Sequence, residues 1–431
     1  MGTKEAQQET NVHNAKYKDQ EENVKILNAN VKAWLEGTVK IPDDGKGTRR
    51  PDTYSVYARY IRCLLAPNYT VFSNAKSANA YNSRPFLLPG PYYVVSLESP
   101  HNAIHLAVGG FYQEGKDGLN ANPIRGANGD MGDNETAGFD PIFFFHHCFV
   151  DYTFSIWQRL HKRTKRGDLT INKGDPGTIL EFGQPLNFPP GTTIDLSTPL
   201  LPFKKSGDKY YTSDDATDLS ELGITYSVGS LDPLISNLPK KIKKSDKYTS
   251  GDLRELAIAY DVGSSDPVIS DVDELVKSEK SPFDIISPHL SDPTTLAGSN
   301  PNDDNPFSLI KRVHNIRRTE YEGSFVIRLY AKGVDGKEYE VGREPVLSRW
   351  NIDGCRNCQS HLDVDLYVPL DPGTLEFLEG PTGQKVEIDW RVKIQTRDKL
   401  HEFPTGGPDE ERGGEKFERP KIDDLPIKHV R

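Results

Sequence analysis

A chain of 431 residues has room for two or three domains of ordinary size and a real buried core. Hydrophobic residues make up 35% and charged residues 27%, and a formal net charge of -10 argues against a nucleic-acid or anionic-membrane partner. Four cysteines are too few for a disulfide scaffold.

Residues 1–19 are polar and predicted to be disordered. No run reaches the length of a membrane span, and residues 1–30 carry no apolar signal core behind a basic start, so the expected location is cytoplasmic. Over residues 21–35, Val24, Leu27, Val31 and Leu35 recur with helical spacing beside Ile26 and Trp34. A basic loop over 46–50 leads to a second helix at 54–65, with Tyr57, Ile61 and Leu64 on one face and Pro67 ending it. Cys63 and Cys148 sit in apolar helical context and read as small buried hydrophobes.

The stretch 97–157 organises the rest. His101 and His105 are four residues apart, which stacks two imidazoles on one helical face. Asp140 is a good N-cap and Pro141 a good first helical residue. The apolar run from Phe143 through Phe154, Ile156, Trp157 and Leu160 is then predicted to be a second, largely buried helix. Packed on the first, it would bring His146 or His147 to the pair, though adjacent residues point different ways and only one should bind. Imidazole-rich sites suit copper, zinc, iron or nickel rather than magnesium or calcium. The same residues are equally consistent with metal-free core histidines bonded to backbone carbonyls. The glycine- and asparagine-rich stretch 109–138 reads as a loop in which Met131 is structural, since a thioether is a weak ligand. The sequons at Asn68 and Asn134 matter only in a secretory context.

Beyond residue 161 the chain is basic, then proline- and glycine-rich, with a tyrosine cluster at Tyr210 and Tyr211 ahead of Asp214 and Asp215. Residues 236–304 read as a linker containing a short helix at 253–260. From Phe307 the period becomes two: Phe325, Ile327 and Leu329 alternate with Val326, Arg328 and Tyr330, and turns fall at Asp335-Gly336 and Asp353-Gly354. A small antiparallel β-domain over 305–398 is expected, followed by a polar tail over 399–431.

The phrases SLESPHNAIHLAVGG and FDPIFFFHHCFVDYTFSIWQRL resemble the second-copper half of the tyrosinases and catechol oxidases (polyphenol oxidases), and RCLLAPNYTVFSN extends the likeness to fungal members upstream to about residue 54. Members of that family use two coppers, each held by three histidines, to bind dioxygen and oxidise phenols or o-diphenols to o-quinones. The resemblance implies that His101, His105 and His147 hold copper, with His146 not a ligand. It implies that Glu98 and Asn102 orient a water that takes the phenol proton, and that Phe143, with Leu106, frames the substrate. The partners would be a phenolic small molecule and dioxygen. The tyrosine-rich segment near residue 210 resembles the end of the family's catalytic core. In fungal members a C-terminal β-domain covers the active site until it is removed, and Cys355 and Cys358 match a C-x-x-C associated there with copper delivery. Thiolates favour Cu(I), and His361 is the imidazole close by in sequence.

The expected fold is therefore α+β and multidomain: a truncated helical tyrosinase-like copper core over 20–235, then a C-terminal antiparallel β-sandwich resting against the mouth of that core. The likeness departs from the family in one respect, because His13 is the sole histidine before His101 and the three ligands of the first copper have no counterpart. Two functions are open at this point: a copper oxidoreductase acting on phenols, in pigment or secondary metabolism, or a non-catalytic or mononuclear copper-binding protein derived from the same fold. Nothing in the sequence sets an oligomeric state.

Overall fold

The computed structural model describes residues 28, 31–32, 34–35, 41–43, 47–49, 55–64, 66–83, 93–109, 129–171, 174–180, 188–226, 309–321, 323–349, 362–370, 372–380, 387–396, 400–404, 410–412, 415–417 and 419–426. The expected disordered start at 1–19, the linker 236–304 with its helix at 253–260, and Cys355, Cys358 and His361 lie outside the described residues. From the first predicted helix, Asn28, Val31, Lys32, Trp34 and Leu35 are helical, and Trp34 is buried. The expected loop at 46–50 instead contributes to a short antiparallel pair, β1 (Ile41–Asp43) and β2 (Gly47–Arg49).

The helical core begins with α1 (Val56–Leu64), inside the predicted span 54–65. Two short helices follow, α2 (Tyr69–Ser73) and α3 (Ala75–Asn82). Each has an asparagine N-cap: the Asn68 side chain accepts the Val71 N–H, and that of Asn74 accepts the Ser77 N–H, both at 3.0 Å. Next come α4 (Glu98–Gly109) and the long α5 (Ile142–Leu160). Helix α5 begins at Ile142 with Pro141 at the N-cap position, one residue later than expected, and the Asp140 carboxylate just ahead accepts the Ile142 N–H at 3.0 Å. Helix α4 buries Ala103, Leu106 and Ala107, a narrow face whose small residues let its neighbours come close. Trp157 of α5 closes the core: it stacks on Phe72 with ring centroids 4.9 Å apart, and its Nε1–H donates to the Ala66 carbonyl at 2.9 Å. Leu106 is fully buried in this core.

The expectation that α5 is largely buried holds for its second half alone. In the first half Phe144 (61% exposed) and Phe145 (73%) face outward together with Ile142 and Cys148, and Phe139 lies exposed just ahead of the helix. Phe143, His146 and Phe149 occupy the inward or partly covered side. A 3.6-residue period buries one face against one neighbour, and among the described residues nothing packs on the other. Cys148 is thus exposed, contrary to its reading as a buried hydrophobe, whereas Cys63 is buried and its Sγ–H points to the Tyr60 carbonyl.

After α5 come two small antiparallel pairs: β3 (Ile179–Leu180) with β4 (Thr192–Thr193), and β5 (Pro199–Ser206) with β6 (Lys209–Thr212). The β-domain then opens with β7 (Leu309–Arg317), β8 (Phe325–Lys332) and β9 (Glu338–Val346). It continues through β10 (Asp363–Leu370), helix α6 (Pro372–Glu379), β11 (Asp389–Gln395) and β12 (Leu400–Pro404). A short pair, β13 (Glu410–Arg412) and β14 (Glu415–Phe417), precedes β15 (Lys421–Pro426). One sheet has the order β10-β7-β15 and the other β12-β11-β8-β9, all antiparallel. Their inner faces meet through Val313, Ile316, Leu366 and Val368 on one side and Phe325, Ile327, Leu329, Val392 and Ile394 on the other, which is a sandwich.

The strands run past the expected boundary at 398. Within the span read as a polar tail, β12 pairs with β11 and β15 pairs with β7. The composition misled there because β15 is an edge strand: Ile422 packs inward while Lys421, Asp423 and Asp424 stay exposed. The alternation in β8 also serves two cores, since Val326 points away from the sandwich interior and joins Ile310 and Tyr367 in the hydrophobic core of the helices. No described helix is long and apolar enough to cross a membrane.

Candidate metal centre

Helices α4 and α5 cross so that four imidazoles meet. The Nε2 atom of His101 lies 3.2 Å from Nε2 of His105, one turn along α4, and 3.1 Å from Nε2 of His147 on α5. Each of these rings has its other nitrogen engaged. His105 Nδ1 faces the Met131 carbonyl at 2.7 Å, His147 Nδ1 faces the Phe143 carbonyl at 2.6 Å, and His101 Nδ1 faces the Asn102 side-chain oxygen at 2.9 Å. Oxygens of this kind only accept, so Nδ1 carries the proton in all three rings and Nε2 carries a lone pair. Three lone pairs that close repel one another unless a cation sits among them. Two nitrogens about 2.05 Å from one ion at a near-tetrahedral angle stand about 3.3 Å apart, and the two spacings measured from His101 match that distance.

Proximity alone would select a different trio, because ring nitrogens of His101, His105 and His146 also lie within 4.8 Å of one another. Hydrogen bonding sets the two neighbours His146 and His147 apart. Nε2 of His146 faces the His101 carbonyl at 3.1 Å, so that nitrogen is a donor, and the ring lies nearly parallel to His101 with centroids 5.1 Å apart. His146 behaves as the metal-free alternative predicted, as does His161, whose Nε2 faces the Leu64 carbonyl at 3.0 Å.

Burial keeps His101, His105 and His146 neutral. It pulls His101 down to about 4, helped by the neighbouring His105 and His147 and opposed by the Asn102 hydrogen bond. Burial likewise brings His105 to about 4 against the pull of the Met131 carbonyl. For His146 burial and the three surrounding imidazoles lower the value to about 2. Neutral imidazole is the form that binds metal.

The other expected site residues are close but engaged differently. Phe143 packs on His147 with centroids 4.0 Å apart and on His105 at 5.9 Å, beside the centre as expected. The Glu98 carboxylate accepts the N–H of Ala75, the first residue of α3, at 2.8 Å, and the oxygen of Asn102 is turned to His101. Both residues border a cleft of about 650 Å³ walled on the far side by Arg318, Glu344, Leu347, Asp363 and Tyr367 of the β-domain. None of the three histidines lines that cleft.

The Met131 carbonyl is the contribution the sequence reading missed. Its thioether is buried and takes no part, as expected, but its backbone oxygen sets the His105 tautomer. The available signal is the pair of glycines that brings it there. A Cβ on Gly109, at the end of α4, would overlap the backbone of Gly132, so only glycine lets the 3-10 turn Asp130–Gly132 approach the helix this closely.

Three converging imidazole nitrogens on a helix pair, backed by a β-sandwich, define a histidine-ligated metalloprotein. The family profile "Common central domain of tyrosinase" matches residues 2–160, which carries the likeness well upstream of residue 54. A tyrosinase of Hahella sp. (strain CCB-MM4) is 36% identical over 390 residues, covering 88% of this chain and 58% of that protein. A tyrosinase of Aspergillus oryzae is 36% identical over 377 residues, covering 85% of this chain and 57% of the relative. Among solved structures, a tyrosinase from Burkholderia thailandensis at low pH superposes with a TM-score of 0.61 at 34% identity, covering 98% of this chain and 66% of that one. The chain belongs to the tyrosinase family, whose metal is copper. It spans less than two thirds of the length of the two curated relatives, and its relatives include proteins from Hahella and Burkholderia as well as from Aspergillus.

Proposed function

We propose that this chain binds one copper ion through Nε2 of His101, His105 and His147 and serves in the oxidation of phenols or o-diphenols to o-quinones. The observation that supports the ligand set is the shared pattern of the three rings, each with Nδ1 held by an oxygen and Nε2 turned to its neighbours within 3.1 to 3.2 Å of His101. Copper bound there would supply one-electron redox chemistry toward dioxygen and the phenol. The chain's own residues hold and shape the site. The Met131, Phe143 and Asn102 oxygens fix the ring orientations, and Phe143 offers an aromatic wall for a planar substrate. By family likeness Glu98 and Asn102 are the groups we assign to hold the acceptor of the phenol proton, the Glu98 carboxylate here accepting the Ala75 N–H and the Asn102 oxygen facing His101.

A second reading is favoured by a specific observation. Among the described residues the histidine cluster is the sole candidate metal group, and His13 is the sole histidine preceding it in the sequence. Reduction of dioxygen at a metal pair draws one electron from each ion, so a single copper leaves the chain as a mononuclear copper-binding protein that turns over catechols slowly. Loading with Cu(I) without oxygen, stripping loose metal, counting copper and then adding oxygen and a catechol tests both readings. One core copper with slow quinone formation is expected. Two core coppers with rapid quinone formation would overturn the mononuclear reading, and no bound copper would overturn the site.

A further inference from the structure

The β-domain is joined to the ligand helix by a buried charge cluster. Arg59 of α1 is 2% exposed, and its Nη1 donates to the Glu344 carboxylate of β9 at 2.8 Å and to the Ser99 hydroxyl, while its Nη2 donates to the Arg343 carbonyl. Ser99 in turn donates to the other Glu344 oxygen at 3.0 Å. Ser99 lies in the first turn of α4, two residues before His101. One carboxylate of the β-domain therefore grips, directly and through Arg59, the turn from which the first metal-binding imidazole projects.

The surrounding contacts prevent this grip from being a loose surface pairing. Next along β9, the Arg343 guanidinium lies over the Trp34 ring at 4.6 Å and is held by Glu340 at 2.7 and 2.9 Å. From β10, Tyr367 shares a hydrogen bond of 2.5 Å with Ser83, and its carbonyl accepts from Tyr93 Oη at 3.1 Å. Ile310, Val326 and Tyr367 belong to the same hydrophobic core as Leu106, Ile156 and Trp157. Parting the two halves would bare that apolar surface to water and break the Arg59 contacts to Glu344 and to the Arg343 carbonyl.

We propose that Glu344 is a positioning residue for the metal centre, acting through Ser99 and Arg59 on the first turn of α4, and that the β-domain is a fixed wall of the cleft beside that helix, not a detachable cover. The proposal rests on the copper reading above for its metal readout and is independent of it for the association of the two halves. It departs from the removable β-domain that the likeness to fungal members led us to expect.

Two measurements on the full chain test it. In the first, a specific protease site is inserted between residues 227 and 308 and cut after folding. The fragments should elute together under native conditions and part only in denaturant; fragments that separate natively would overturn the fixed wall. In the second, copper affinity and the Cu(II) electron paramagnetic resonance spectrum are compared across variants. Glu344→Ala should weaken copper by about tenfold and alter the spectrum, the scale at which supports of metal ligands act. Glu344→Gln, which keeps the shape and one acceptor oxygen, should restore the wild-type spectrum in part. Where Glu344→Ala does not fold, Ser99→Ala, which removes one hydroxyl and no charge, gives the same spectral test. An unchanged spectrum and affinity in the folded variants would overturn the positioning role. Wild type that binds no copper would refute the metal reading and the positioning role with it, and the cleavage result would still judge the wall.

Discussion

The Nε2 atoms of His101 and His147 lie 3.1 Å apart, although the residues belong to different helices and no acidic proton bridges them once their Nδ1 atoms are donors. That contact is stable when a cation shares both lone pairs. His146 is one residue away and hydrogen-bonds to the backbone instead. Replacing His101, His105 or His147 with Ala is therefore expected to abolish stoichiometric copper retention. His146→Ala should keep the stoichiometry and weaken affinity by about 10- to 100-fold, as loss of a supporting group does. Copper counting after gel filtration of the four variants decides it: loss of copper in His146→Ala with retention in His147→Ala would reverse the ligand assignment.

Gly109 offers a test that touches no ligand. In Gly109→Ala the new Cβ meets the Gly132 backbone, which cannot move without carrying the Met131 carbonyl away from His105 Nδ1. Copper affinity should fall by about 10-fold or more with the three histidines intact. Gly138→Ala, where a Cβ meets open space, should leave affinity unchanged. Equal affinities in both variants would show that the close approach does not govern the ring.

What could be read from the sequence follows the range of the interactions. The His101 and His105 pair is local, four residues on one helix, and needed no fold to be seen. The choice of His147 over His146 rested on family likeness, because periodicity says only that the two diverge; the hydrogen bond of His146 to the His101 carbonyl supplies the physical reason. The Met131 carbonyl was hidden because a backbone oxygen has no residue identity. The link from Arg59 to Glu344 was hidden because charges 285 positions apart carry no pairing signal. The aromatic run of α5 was overread for the opposite reason. Hydrophobicity states that a face is suited to burial, and only the packing partners decide whether it is covered.

That uncovered face carries its own expectation. Phe144 and Phe145 are 61% and 73% exposed, so changing both to Gln removes little packing. Stability should change by no more than about 0.5 kcal/mol per site, the usual range for surface substitutions. Self-association, read by light scattering against concentration, should decrease, because contiguous exposed aromatic surface promotes it. A loss of several kcal/mol in thermal melts would mean that another part of the chain covers these rings.

Within the β-domain, Glu340 is held by Arg343 at 2.7 and 2.9 Å and by Arg328 at 3.1 Å. Burial by itself would raise this carboxyl, but the two guanidiniums outweigh it and keep the value below that of an ordinary glutamate. A group whose folded value is depressed stabilises the fold above its unfolded value, about 4.3 for Glu, and that contribution fades as pH falls through the folded value. Glu340→Ala takes this carboxylate from the buried Arg343 and the half-buried Arg328 and should cost about 3 kcal/mol at pH 7. The gap between wild type and variant should narrow as the pH is lowered below the ordinary glutamate value of about 4.3 and on toward the depressed folded value. Urea unfolding of both proteins at a series of pH values measures that gap. A gap that stays constant across the series would show that packing of the side chain, and not its charge, is what β9 relies on at this position.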